Sequence, residues 1–192
     1  NYKDFIQVPK WLEDKKNNGK ISKTHFSDFL RIELLAEHGG IWLDSTFYCL
    51  DKIDVKLFKK GIWSIKRPEY GHLSPACGMF ANYSLGCRYD SKKFFEVLSD
   101  YLMFYWENND YVIDYLLTDY IIKMLLDKYN EFNILFDKIE NNNKNCDELF
   151  KVLGDIYDSS KWKLLKKDTF LFKLSWKHDF DEEKEGKKTF YG

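Results

Sequence analysis

The chain lacks most of the features by which a sequence announces a partner. Lys and Arg number 30 against 31 Asp and Glu, so no global field draws it to nucleic acid or to an anionic surface. No window approaches the roughly 18 to 20 uninterrupted apolar residues of a membrane span, and no signal peptide opens the chain. Cys49, Cys77, Cys87 and Cys146 are scattered, with no CxxC and no His at metal-ligand spacing, in a chain long enough not to need staples. A soluble protein of the reducing cytoplasm is expected, at most peripheral to the inner membrane. Neither GxGxxG nor GxxxxGK[ST] occurs, which excludes the usual phosphate loops. There is no internal repeat. His25, His38 and His72 show no ligand spacing, and nothing supports a nucleophile triad.

What is present is a core. With 192 residues, 44% of them apolar and 18% aromatic, the chain suits one compact domain, expected over residues 1–180 and followed by a charged tail, 181–192, with little to bury. It begins at Asn1 in mid-pattern, without an obvious opening strand, so an upstream βαβ unit is expected to be missing. Residues 9–20 read as a short polar helix ending at Asn17-Asn18-Gly19. From Thr24 to His38 the pattern is apolar on nearly every side, the mark of a buried helix that Ser27 or Thr24 would cap. Gly39-Gly40 stops it and leads into Ile41-Trp42-Leu43, which reads as a central strand. Further strands are expected at 61–65, near 78–83 and at 169–176, and helices near 91–107, 110–130 and 144–157. The mixture predicts an α/β fold, with the helices after residue 90 as an insertion or flank.

Two charged residues stand out on the buried helix. Asp28 and Arg31 are three positions apart, on one face at about 100° per residue, and each is costly in an interior unless it finds a partner. An ordinary i,i+3 ion pair, or an Asp complementing the helix dipole, would also explain them. The next strand ends in Asp44, Ser45 and Thr46, where open α/β sheets bind ligands. A carboxylate there can hold a divalent cation that neutralises a diphosphate; equally, a strand-end Asp can start a turn.

The run Ser27-Asp28-Phe29-Leu30-Arg31, then Leu34-Leu35, then Gly39-Gly40-Ile41-Trp42-Leu43-Asp44-Ser45-Thr46 resembles the signature of the capsular polysaccharide synthesis glycosyltransferases. These are similar in turn to mannosyltransferase-like proteins with a DXD sugar-binding motif and to the large clostridial glucosylating toxins. Upstream, Val8-Pro9-Lys10-Trp11 and Gly19-Lys20-Ile21-Ser22, and downstream, Phe172 to Lys177, extend the likeness more weakly. The resemblance implies a GT-A-like nucleotide-sugar-binding sheet and hexose transfer from a nucleoside diphosphate sugar, a UDP-sugar first, to a saccharide or lipid-linked saccharide in capsule or exopolysaccharide assembly. It assigns Asp28, Arg31 and Asp44 to the donor sugar, Ser175, Trp176 and Lys177 to the diphosphate, and Asp44, with Thr46 at the second position, to Mn²⁺ or Mg²⁺; Gly40 and Asn82 are further candidates for the donor sugar and Lys173 for the diphosphate. Asp44 and Asp119 are the catalytic candidates, Asp119 as a base or a donor-orienting group on the helix near 110–130.

Each assignment has a plainer counterpart. Trp176 would otherwise sit in the core of a last strand, Asn82 would satisfy its own turn, and Asp119 would be a solvated helix residue. Thr46 stands where the DXD pattern has its second Asp, so metal dependence is open: diphosphate, water, His178 or Asp179 would complete a metal site, or Lys173 and Lys177 would partly replace it. Two rival functions share these residues, a toxin-like protein glycosyltransferase and a non-catalytic nucleotide-sugar-binding module.

Overall fold

A computed structural model of the chain describes residues 1–71 and 74–192; His72 lies outside the described residues. The chain folds as a mixed α/β protein, with seven α-helices among the described residues and small antiparallel sheets. Helix α1 (Lys10–Asn17) precedes α2 (Lys23–His38), whose cap lies two residues before Thr24 and five before Ser27, the expected caps. The Ser22 hydroxyl takes the His25 amide at 3.2 Å, capping α2 in place of Thr24 or Ser27. At the other end the Gly39 amide bonds Leu35 O at 2.9 Å, with φ 65° and ψ −151°, a conformation essentially reserved for glycine. A Cβ on Gly39 would come 3.0 Å from the Tyr89 amide nitrogen, so the chain must be bare here to turn from helix into strand.

Strand β1 (Gly40–Leu43) follows at once, and β2 (Phe47–Cys49) comes after a turn at Asp44-Ser45-Thr46. Strands β3 (Ile62–Ser64) and β4 (Ser84–Cys87) complete a sheet of order β1-β4-β3. The centre therefore belongs to β4, and β1, expected as central, is an edge. The strand expected near 78–83 lies just beyond, at 84–87, where Ser-Leu-Gly-Cys is short and has little apolar surface to betray it. Every strand pair among the described residues is antiparallel. The open parallel sheet that would put ligands at strand carboxyl ends is not found there, and Asp44 is presented instead by the turn between two small sheets.

Of the helices after residue 90, expected as an insertion or flank, three build the main core instead. Helices α3 (Lys93–Asn108), α4 (Leu117–Lys128) and α5 (Asn130–Asp137) close over α2 to make the main core, with Phe29, Ile32, Leu35, Phe94, Leu98, Ile122 and Phe136 buried together. Phe94 sits edge-on to Phe132 and Phe136 at centroid distances of 5.2 and 4.9 Å. A helix apolar on nearly every side needs such cover. Helix α4 starts at Leu117 rather than near 110, because Asp114 Oδ1 captures the Leu116 amide at 2.7 Å and holds that segment in a turn.

Helices α6 (Glu148–Val152) and α7 (Ser159–Leu165) flank strand β5 (Leu171–Lys173), a shorter element than the expected 169–176, in a second core of Leu149, Leu153, Leu165 and Phe172. The last residues also differ from expectation. Strands β6 (Glu183–Lys184) and β7 (Lys187–Lys188) form a hairpin, Thr189 is buried, and the Phe190 and Tyr191 amides bond Asp155 O and Leu153 O at 3.1 Å. Lysine and glutamate dominate the composition there, but the backbone and the Phe190 ring do the docking.

Candidate functional site

Asp44 is where the elements meet. Its amide bonds Tyr83 O at 3.1 Å, extending the β1–β4 ladder by one step, and its carbonyl accepts the Phe47 amide to close the turn. Its side chain is 30% exposed. From α2 below, Arg31 Nη2 donates to Asp44 Oδ1 at 3.0 Å; from β1, Trp42 Nε1 donates to the same oxygen at 3.0 Å. The Arg31 guanidinium also lies 5.3 Å from the Trp42 ring centroid. Trp42 was not foreseen, although the period-two rule puts residues 42 and 44 on one side of a strand.

Arg31 is itself held from behind. Its Nη1 lies 2.9 Å from Asp28 Oδ1, and Asp28 Oδ2 accepts from Thr118 Oγ1 of α4 at 3.3 Å. The expectation that Asp28 and Arg31 project together into one pocket needs correcting. Asp28 is buried and does not line the cleft, because a carboxylate in an interior must be matched by a cation and a hydroxyl, and here both lie inside. Burial pushes the Asp28 carboxyl above the usual carboxylate range, against the pull of Arg31 and His25. Asp28 fixes Arg31, and Arg31 reaches the cleft.

That cleft has a volume of about 980 Å³ and is lined by Arg31, Trp42, Asp44, Thr46, Lys173, Ser175, Trp176 and Lys177, with Lys23, Thr24, Ser27 and Tyr115 across from them. Strand pairing assembles its far wall. Strand β5 pairs with β2 so that Lys173 faces Phe47, and the Leu174 amide bonds Thr46 O at 2.9 Å. Residues 175–177 thus emerge beside the Asp44 turn. Trp176 is 80% exposed, which removes the core alternative for it. Ser175 Oγ accepts the Lys177 amide at 3.2 Å. The Nε–H of Arg31 is buried with no acceptor among the described residues.

The remaining sequence candidates lie elsewhere. Gly40 opens β1 at the end opposite Asp44, with φ 90°, and does not line the cleft. It serves the chain reversal after α2. Asp119 and Asn82 are brought together, but in a separate cavity of about 220 Å³ that also has Arg67, Tyr83 and Asp147 in its wall. Asn82 Oδ1 is buried there with no partner among the described residues. Asp119 is buried rather than solvated, and its carboxyl is pushed up to about 6, first by burial and then by the Asp28 charge. Neither His178, whose ring packs on Phe150 at 5.3 Å, nor Asp179 lines the cleft.

The expected Mn²⁺ or Mg²⁺ finds a poor donor set. Asp44 is the cleft's one carboxylate among the described residues, and its Oδ1 is taken by Arg31 and Trp42. Its Oδ2 faces Lys173 Nζ at 3.8 Å, and the same ammonium donates to Thr46 Oγ1. A divalent cation between Asp44 and Thr46 would meet that ammonium. Among the described residues no group of three or more His, Cys, Asp or Glu is placed to hold a metal ion. The side chains of this turn do not fit a bound divalent cation.

A cleft with cations, a hydroxyl and an exposed indole beside one fixed carboxylate belongs to the class of sites that receive an anionic, hydroxyl-rich ligand. The model of the capsular polysaccharide synthesis protein family matches residues 1–192, and the chain belongs to that family, with a role in capsular polysaccharide synthesis. No curated protein and no solved structure gives a significant match. Among the described residues no helix is long and apolar enough to cross a membrane.

Proposed function

We propose that the chain is a glycosyltransferase of the GT-A type that moves a hexose from a nucleoside diphosphate sugar, a UDP-sugar first, to a saccharide or lipid-linked saccharide acceptor. The observation that carries this is the convergence of Arg31, Asp44, Lys173, Ser175, Trp176 and Lys177 on one open cleft, from three separate stretches of backbone. The cleft's volume lies within the roughly 300–1,000 Å³ typical of small-ligand sites.

In this function the residues work by placement and charge. Lys173 and Lys177, with the Ser175 hydroxyl and the Trp176 indole, face the diphosphate as it gains charge on leaving the anomeric carbon. The acceptor hydroxyl forms the new bond to that carbon as the bond to the diphosphate breaks; the diphosphate leaves with the electron pair and its oxygen takes the hydroxyl proton. Asp44 holds Arg31 and Trp42 in register and offers Oδ2 to a sugar hydroxyl. Nothing in this scheme requires Asp119 as a base; it stands in the neighbouring cavity, where it and Asn82 Oδ1 present acceptors to further hydroxyls.

Thermal-shift screening of UDP- and GDP-sugars against the parent chain, Asp44→Ala and Arg31→Ala tests the proposal. A donor should raise the melting temperature of the parent and leave both variants unmoved. If no nucleotide sugar moves the parent, the proposal fails. If one binds but is neither hydrolysed nor transferred to a saccharide, the chain is a nucleotide-sugar-binding module instead.

A further inference from the structure

Lys173 stands where a nucleotide-sugar site would need positive charge, and the fold puts it there by backbone rather than by side-chain chance. Its amide bonds Cys146 O at 2.8 Å, the next amide bonds Thr46 O at 2.9 Å, and β5 pairs with β2 in a register that sets Lys173 across from Phe47. The ammonium then donates to Thr46 Oγ1, lies 3.8 Å from Asp44 Oδ2, and is flanked by the Phe47 and Tyr83 rings at 5.9 and 5.7 Å. Its side chain keeps 23% exposure, so the charge still faces the cleft.

We infer that the Lys173 ammonium takes the place of a divalent cation in this cleft, so that a nucleoside diphosphate is held by protein cations and no metal is required. The inference rests on the nucleotide-sugar function proposed above. Lys23, Arg31, Lys173 and Lys177 line the cleft against Asp44, its one carboxylate among the described residues, which already faces two of them within 4.0 Å. Such a field repels a free divalent cation and attracts a diphosphate, whose charge it can meet directly. Thr46, neutral where a second carboxylate would strengthen a metal site, fits the same logic: its hydroxyl oxygen fixes the ammonium, whereas an Asp would neutralise it.

Calorimetric titration of UDP and of GDP into the full chain, in EDTA and again in Mn²⁺, decides the matter. The parent should bind one of them with a Kd that differs by no more than about twofold between the two buffers. In EDTA, Lys173→Met should bind about tenfold more weakly, and Lys173→Arg, which keeps the charge, within about threefold of the parent. Joining Thr46→Asp to Lys173→Met should make binding depend on Mn²⁺. Parent binding that appears only with Mn²⁺ would overturn the role of Lys173 and leave the nucleotide-sugar function standing. Absence of binding by either nucleotide in both buffers would sink both. Unchanged affinity of a folded Lys173→Met in EDTA would also overturn the inference. Should circular dichroism show that variant unfolded, the parent in EDTA and Lys173→Arg still decide.

Discussion

The two faces of helix α2 are built from the same sixteen residues and do opposite things. One face puts Phe26, Phe29 and Ile32 into the main core, where each buried side chain adds about 1.5–3 kcal/mol to folding. The other buries Asp28 and Arg31 in an ion network whose desolvation offsets most of what their attraction gains. A helix selected for stability alone would carry apolar residues at 28 and 31 as well. The charged face is therefore explained by what it holds at its outer end, the Asp44 turn and the cleft, and the apolar face by what keeps that arrangement rigid.

Substitutions on each face should separate these roles. Phe29→Ala should cost about 3–5 kcal/mol in chemical denaturation, the largest single effect expected, while the folded fraction keeps its nucleotide-sugar shift. Arg31→Ala should cost about 3 kcal/mol, because Asp28 is left as an uncompensated buried charge, and should also abolish the shift. The contrast sharpens in the double variant Asp28→Asn with Arg31→Met. Removing both charges should return most of the stability but none of the ligand binding, since neutral groups relieve the burial cost and cannot meet a diphosphate. Equal recovery of both would show that the charged face is merely structural.

How far these faces were legible follows from sequence separation. The helix, its glycine stop and the strand delivering Asp44 all lie within residues 23–44, and local rules reach across such a span: Asp28, Arg31 and Asp44 do converge. Local rules could not tell that Thr118, from a helix 90 residues on, would take the outer oxygen of Asp28 and seal it inside. Nor could they tell that Lys173, 127 residues beyond Thr46, would take that hydroxyl, because the contact depends on the pairing of β2 with β5. The strand β4 was misplaced for a different reason: Ser84 and Gly86 have little apolar surface with which to signal a buried strand, although all four of its residues are buried. Asn82 and Asp119 were named as a sugar contact and as a base or donor-orienting group, but only the packing of α4 against the 78–83 segment puts them in a cavity of their own.

That cavity gives a smaller effect of opposite sign. Asp119 has a carboxyl raised from 3.8 to about 6, so between those values the folded chain binds more protons than the unfolded one. Stability from this group is fully present below about pH 4 and is lost as pH rises through 6. Asp119→Asn should therefore match the parent near pH 3 and become more stable above pH 6, by at most about 3 kcal/mol. Urea denaturation from pH 3 to 7 reads this directly. A gap that opens as pH falls would contradict the assigned burial.

Trp176 is the counterpart of Phe29 and should give the smallest change in stability. With 80% of its surface in water it has little burial to lose, so Trp176→Ala should alter stability by no more than about 0.5 kcal/mol. Yet it stands at the mouth of the cleft between Ser175 and Lys177, just past β5, and an exposed indole there has two ways to meet a nucleotide sugar. It can stack on a ring, or donate its N–H to a phosphate oxygen. Trp176→Phe tells them apart, since phenylalanine retains the stacking face and lacks the donor. If stacking dominates, affinity should survive in Phe and fall about tenfold or more in Ala, as expected for one base on one aromatic. If donation dominates, both variants should lose alike, and the loss should be larger for the diphosphate than for the free nucleoside.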